Sequence, residues 1–203
     1  GRDEFVDGLT PGDQEALAAF LPQKANSDNS VASTSKFVKD WTMQDLQPDL
    51  DKVKSGRSFA KGKAAYAQAQ CILCHRFGNS GGSVGPELAA VSSRLSSRDI
   101  LESILEPSKV VSDLYQNTIV ETTDGDILTG RVLEENDRKL VLMTAPISQT
   151  KVEIFKADIL SRRASKVSPM PDGLVNSMTE GEIWDLIAYI EAGGKRDRPA
   201  FKK

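Results

Sequence analysis

Apolar residues recur along this chain with two different periods, and the change of period divides it. "SFAKGKAAYAQAQ" (58–70) is rich in Ala, Lys and Gln, with Phe59, Tyr66 and Ala69 close to one face, which predicts a helix. "RDILESILE" (98–106) turns Ile100, Leu101, Ile104 and Leu105 inward and ends at Pro107, giving a second. "EGEIWDLIAYIEAGG" (180–194) sets Ile183, Leu186, Ile187 and Ile190 on one face of a third, with Thr179 and Glu182 as a capping box before it and Gly193 as its C-cap.

Between the second and third helices the period falls to two. Residues 117–160 are dominated by Thr, Val and Ile, Asp124-Gly125 is a hairpin signal, and "ENDR" (135–138) and "PISQ" (146–149) read as further turns. Four or five short strands result, enough for a small twisted barrel of the SH3-like or Sm-like kind. Below about 55 residues such a barrel is marginal alone, so it is expected to pack on the helical part.

Upstream, "TPGDQEALAAFL" predicts a capped helix beginning at Thr10, the Ser-rich stretch 24–36 reads as a linker, and "KDWTMQDL" (39–46) as a short helix. With no initiator Met, Gly1 is read as the start of a processed protein or an excised fragment, its first helix the tail of a preceding domain.

The 203 residues carry a net charge of -3, too weak a field to imply nucleic acid or an anionic membrane as partner. No apolar run approaches the roughly 18 residues of a membrane span. Composition changes the picture at one place. Both cysteines and the single histidine fall in "CILCH", residues 71–75. Two Cys and one His cannot complete a structural zinc site of the usual kinds or a four-thiolate cluster.

Three readings of Cys71 and Cys74 remain: a core pair or local disulfide, a thioredoxin-like redox couple, and covalent haem attachment at Cys-x-x-Cys-His. Two intervening residues put both sulfurs on one side of a tight turn, where each can add to a vinyl group while the His75 imidazole reaches the iron. A thioredoxin-type pair follows a strand and opens a helix, whereas this pair follows a predicted helix and precedes the glycine-rich "GNSGGSVGP". Spacing and surroundings favour haem.

Haem iron held by His75 then needs a further ligand or an open site, and no second His exists. A methionine thioether favours the ferrous state. Met143 lies in the apolar run "KLVLMTA", Met178 can staple against Ile183, and Met43 sits far upstream. Met170, in "SPMPDG", is flanked by Pro169 and Pro171 and has no evident core role, so the stiff loop suits an axial ligand.

With these residues in hand the chain resembles a class I cytochrome c. "CILCH", the Gly62/Tyr66 spacing, "VGPEL" (84–88) and the C-terminal helix carry the likeness. The resemblance implies a mainly α fold around one covalent haem c per chain, with the first and last helices crossing at Gly62 near Tyr189. It also implies that the Pro86 carbonyl orients His75. More closely, from about Trp41 onward, the chain looks like the haem-binding module of planctomycete multidomain proteins. Ordinary class I cytochromes pass quickly from a Tyr to Met-Pro, but 54 residues separate Tyr115 from Met170 here.

The expected layout is therefore an extension over 1–50, the first part of the cytochrome core over 51–115, a β insertion over 116–166, and the Met-ligand loop with the last helix over 167–203. The insertion either covers a haem edge or docks a partner, or serves as a brace. Cys71, Cys74, His75, Pro86 and Met170 are the expected haem-binding residues, with His75 and Met170 on the iron. The resemblance implies single-electron transfer to another redox protein or a fused dehydrogenase domain, with no catalysis of its own, in a periplasmic or otherwise exported location. The alternative is a haem-based sensor or small peroxidase whose Met ligand is labile.

Overall fold

The computed structural model describes residues 36–145 and 148–202. The helix expected from Thr10 and nearly all of the 24–36 linker lie outside the described residues. The helical part begins at Trp41 and Met43, within the stretch the sequence assigns to the extension. Helix α1 (Met43–Leu46) is closed by a Thr42/Asp45 capping box and buries Met43 and Leu46, and a 3-10 turn (Gln47–Val53) adds Val53 to the same core.

Helix α2 (Phe59–Gln68) starts at Ser58, which accepts from the Lys61 N–H, and leads into the one-turn helix α3 (Cys71–Cys74). Helix α4 (Ser97–Leu105) opens on a Ser96/Asp99 capping box and buries Ile100, Leu101 and Ile104. Helix α5 (Glu180–Glu191) opens on the Thr179/Glu182 box, and Gly193 follows it at φ 62°, the left-handed turn that ends a helix. Trp184, Leu186, Ile187, Leu101 and Met178 are fully buried where these helices meet. The Asp185 carboxylate on α5 accepts the Ser58 N–H at 2.9 Å, so one helix caps the other.

α2 crosses α5 at Gly62. A Cβ there would lie 2.2 Å from the Asp185 carbonyl O and 2.7 Å from Tyr189 Cβ. Ala is favoured over Gly in a helix by about 1 kcal/mol, whereas forcing atoms into a packed contact costs up to about 3 kcal/mol. Gly62→Ala is therefore expected to destabilise by about 2 kcal/mol net, lowering the melting temperature by about 4–8 °C for a chain of this size. Gly181 on α5 meets nothing within 4 Å, so Gly181→Ala should raise the melting temperature slightly. A Gly62→Ala protein that melts higher than the parent would show that the helices do not approach so closely.

The mainly α expectation is overturned. Two short strands, β1 (Arg76–Phe77) and β2 (Ser80–Gly81), form a hairpin after α3. The inserted segment then builds a five-stranded antiparallel sheet in the order β6-β5-β4-β3-β7. Its strands are β3 (Thr118–Thr122), β4 (Ile127–Glu135), β5 (Lys139–Ala145), β6 (Thr150–Phe155) and β7 (Ile159–Ala164). The chain is mixed α and β.

The physical reason is that the insertion has its own centre. Val120, Leu140, Leu142 and Ile154 form an apolar cluster separate from the helical core. Gly125 at φ 90° makes the β3–β4 turn, Asn136 Oδ1 accepts the Arg138 and Lys139 N–H groups at the next, and a 3-10 turn (Lys156–Asp158) joins β6 to β7. β3 pairs with both β4 and β7, which brings the last strand back beside the first. On β5 the residues Val141 and Met143 are buried as well as Leu140 and Leu142, so this strand is covered on both faces.

Candidate functional site

Gln70 takes a left-handed backbone (φ 57°), unusual for a residue with a Cβ, and this turn separates α2 from α3. In α3, Cys71 and Cys74 stand three apart and so share a side of the turn. Both are free thiols, half-buried. His75 leaves the helix in extended conformation (φ -107°, ψ 154°) while its N–H still donates to the Cys71 carbonyl at 2.8 Å. Five consecutive residues thus present two sulfurs and an imidazole together.

The glycine-rich loop wraps this turn. The Gly82 N–H donates to the Ile72 carbonyl and the Gly85 N–H to the Cys74 carbonyl, each at 2.8 Å. Gly85 lies against the His75 ring so closely that a Cβ would stand 2.6 Å from Cε1. The Tyr66 hydroxyl donates to the His75 carbonyl O at 2.9 Å, and the Tyr66 ring packs at a tilt against Phe77 and Tyr189 at centroid distances of 5.2 and 5.6 Å. The aromatic cluster ties the site to the α2/α5 crossing.

His75 Nδ1 is 2.9 Å from the Pro86 carbonyl O. A carbonyl can only accept, so Nδ1 carries the hydrogen and Nε2 keeps its lone pair. Burial holds the imidazole below its ordinary pKa, with the Pro86 bond opposing, and the ring is neutral at pH 7. A neutral imidazole fixed through its other nitrogen is the form that ligates a metal.

Burial pushes the Cys71 thiol up to about 11 and raises Cys74 as well. Redox-active thiols need the opposite shift. Nor does a strand precede the pair, since α2 does. Among the described residues no group of three or more His, Cys, Asp or Glu gathers to hold a bare metal ion. The donor set instead fits haem c, with two thiols for the vinyl carbons, one imidazole for the iron, and Ile72 and Leu73 between them exposed by 38% and 45% as apolar surface.

Met170 lies in the loop between β7 and α5, half-buried against the helical core. Its N–H donates to Ser168 Oγ, and the Ser168 N–H to Ser108 Oγ just beyond α4, each at 3.1 Å. The structure therefore gathers Cys71, Cys74, His75 and Pro86 directly. Met170 is not among them; its neighbour Pro169 lines a cavity of about 10 Å³ together with Val84, Tyr115, Asn117, Arg131 and Met143.

Sequence reasoning missed one participant. Arg131 Nη1 on β4 donates to the Val84 carbonyl O at 2.9 Å. In the sequence it is an ordinary strand residue; the only signal is the preceding Gly130, where a Cβ would meet the Met143 carbonyl O at 2.5 Å, a mark of close backbone approach.

No curated protein matches this chain. The family model for Cytochrome c matches residues 59–139, a span that opens at α2, includes the Cys71–His75 turn and the Pro86 loop, and stops in the inserted sheet short of Met170. Such a domain carries covalently bound haem c, and Cys71 and Cys74 fit its attachment.

Proposed function

We propose that the chain is a monohaem c-type cytochrome module that carries single electrons between redox partners, its iron held between His75 and Met170. The observation that carries the reading is the state of His75. Its Nδ1–H is committed to the Pro86 carbonyl and its neutral Nε2 keeps a lone pair, beside two thiols on the same turn. Haem c supplies a one-electron ferric/ferrous couple when bound.

The chain's own residues divide the remaining work. Cys71 and Cys74 anchor the porphyrin through thioethers, and Pro86 fixes the tautomer and plane of His75. Met170, stiffened by Pro169 and Pro171, offers a thioether that favours the ferrous state. With His75 and Met170 both offered to the haem, they would leave no open place for a substrate and would suit exchange of an electron with little rearrangement.

The partner is another redox protein or a dehydrogenase domain in the same polypeptide. Covalent haem attachment takes place outside the bacterial cytoplasmic membrane, which supports a periplasmic or otherwise exported location. Among the described residues no helix is long and apolar enough to cross a membrane. The order of the segments from Trp41 to the C-terminal helix supports the narrower likeness to the planctomycete haem-binding module.

A visible spectrum of the holoprotein tests the reading. The ferric form is expected to be low-spin with a sulfur-to-iron band at the red end, and the reduced form to bind carbon monoxide slowly. A high-spin ferric form with rapid carbon monoxide binding would instead make this a sensor or a small peroxidase.

A further inference from the structure

From the inserted sheet, the Arg131 side chain is hydrogen-bonded to the loop that follows the haem-attachment turn. Arg131 Nη1 donates to the Val84 carbonyl O at 2.9 Å while its guanidinium carbon stands 6.0 Å from the centre of the Tyr115 ring. One edge of the guanidinium is therefore bonded while the group rests near an aromatic ring, an arrangement a lysine cannot reproduce. The strand beneath is itself fixed. Arg131 is paired with Met143 on β5, and Gly130 packs against the Met143 carbonyl too closely for any Cβ.

The same Val84–Pro86 segment is also bound to the haem-attachment turn. The Gly85 N–H is bonded to the Cys74 carbonyl, the Gly85 backbone abuts the His75 ring, and the Pro86 carbonyl receives the His75 Nδ1–H. Three residues are thus held between the imidazole and the sheet. Pro169, next to Met170, lines the same small cavity as Arg131 and Val84.

We propose that Arg131 is a positioning residue for the iron ligand His75: reaching from the inserted sheet, its guanidinium holds the Val84–Pro86 loop and, through the Pro86 carbonyl, the plane of the imidazole. The inference rests on the reading of His75 as the haem-iron ligand. It gives the insertion a task inside the haem site.

The test uses the ferric holoprotein and the paramagnetically shifted haem methyl resonances, whose pattern follows the planes of the axial ligands. Arg131→Lys keeps the charge and loses the planar fork, so its methyl pattern should be displaced from wild type while the optical spectrum stays low-spin. Arg131→Met should displace it further, and the Gly85 amide should exchange with deuterium at least about tenfold faster. Tyr115→Leu, which removes the platform and leaves the charge, should displace the pattern in the same direction by a smaller amount. A wild-type methyl pattern in Arg131→Lys and Tyr115→Leu overturns the positioning role, whether or not Arg131→Met folds. A wild-type protein that is itself not low-spin overturns the ligation reading instead.

Discussion

Denatured holoprotein is expected to keep its haem in the parent and in either single variant, Cys71→Ala or Cys74→Ala, and to lose it completely in the double variant. Each thioether forms when one S–H adds across one vinyl group, so the sulfur gives its proton to carbon and no electrons leave the pair. One such bond suffices to hold the group against denaturant. Both sulfurs belong to the single turn α3, which the His75-to-Cys71 bond and the wrapping loop keep in place. Cys71 packs against the edge of the helical core and both cysteines are half-buried, so each substitution by Ala removes one sulfur and leaves the fully buried side chains in place. The intact mass of protein made in a host able to attach haem c reads the outcome directly. A parent chain whose mass is that of the bare polypeptide would end the haem account, and a double variant that retains haem after denaturation would place the attachment elsewhere.

How much of this was legible in the sequence follows from the range of the interactions. The haem-attachment turn is local: two sulfurs and an imidazole within five residues, and Pro86 only eleven further on. The caps Ser96/Asp99 and Thr179/Glu182 are local too, each spanning three residues, which is why the helices behind them could be placed. The strand character of 117–160 was readable from its alternation. Its weight in the fold was not, because a likeness carried by helices and a five-residue motif says nothing about the size of an insertion with a core of its own.

The contacts that escaped are those the chain makes across long separations. Asp185 caps Ser58 from 127 residues away, and Trp41 Nε1 donates to the Met178 carbonyl from 137, drawing an apparent extension into the helical core. Arg131 reaches Val84 across 47 residues and out of a different fold element. Nothing in the periodicity of either partner announces such a bond.

Met170→Ala is expected to abolish the sulfur-to-iron band, lower the reduction potential and open the reduced iron to rapid carbon monoxide binding. Axial ligands set haem potentials over a range of about 0.8 V, and removing a thioether takes away the ligand that favours the ferrous state. The other three methionines serve as controls because packing already accounts for them. Met178 is fully buried in the helical core, Met43 is buried beside it, and Met143 is buried on β5. Each has lost the freedom to swing a sulfur elsewhere, whereas Met170 is only half-buried, on a loop outside any helix or strand. Met143 is the sharpest of these controls, since it lines the same cavity as Val84 and Pro169. Met143→Leu should keep the band and the potential close to the parent's, at a stability cost under about 1.5 kcal/mol for a volume-conserving change. If Met143→Leu loses the band and Met170→Ala keeps it, the thioether on the iron comes from the inserted sheet and the loop at Pro169–Pro171 has another purpose.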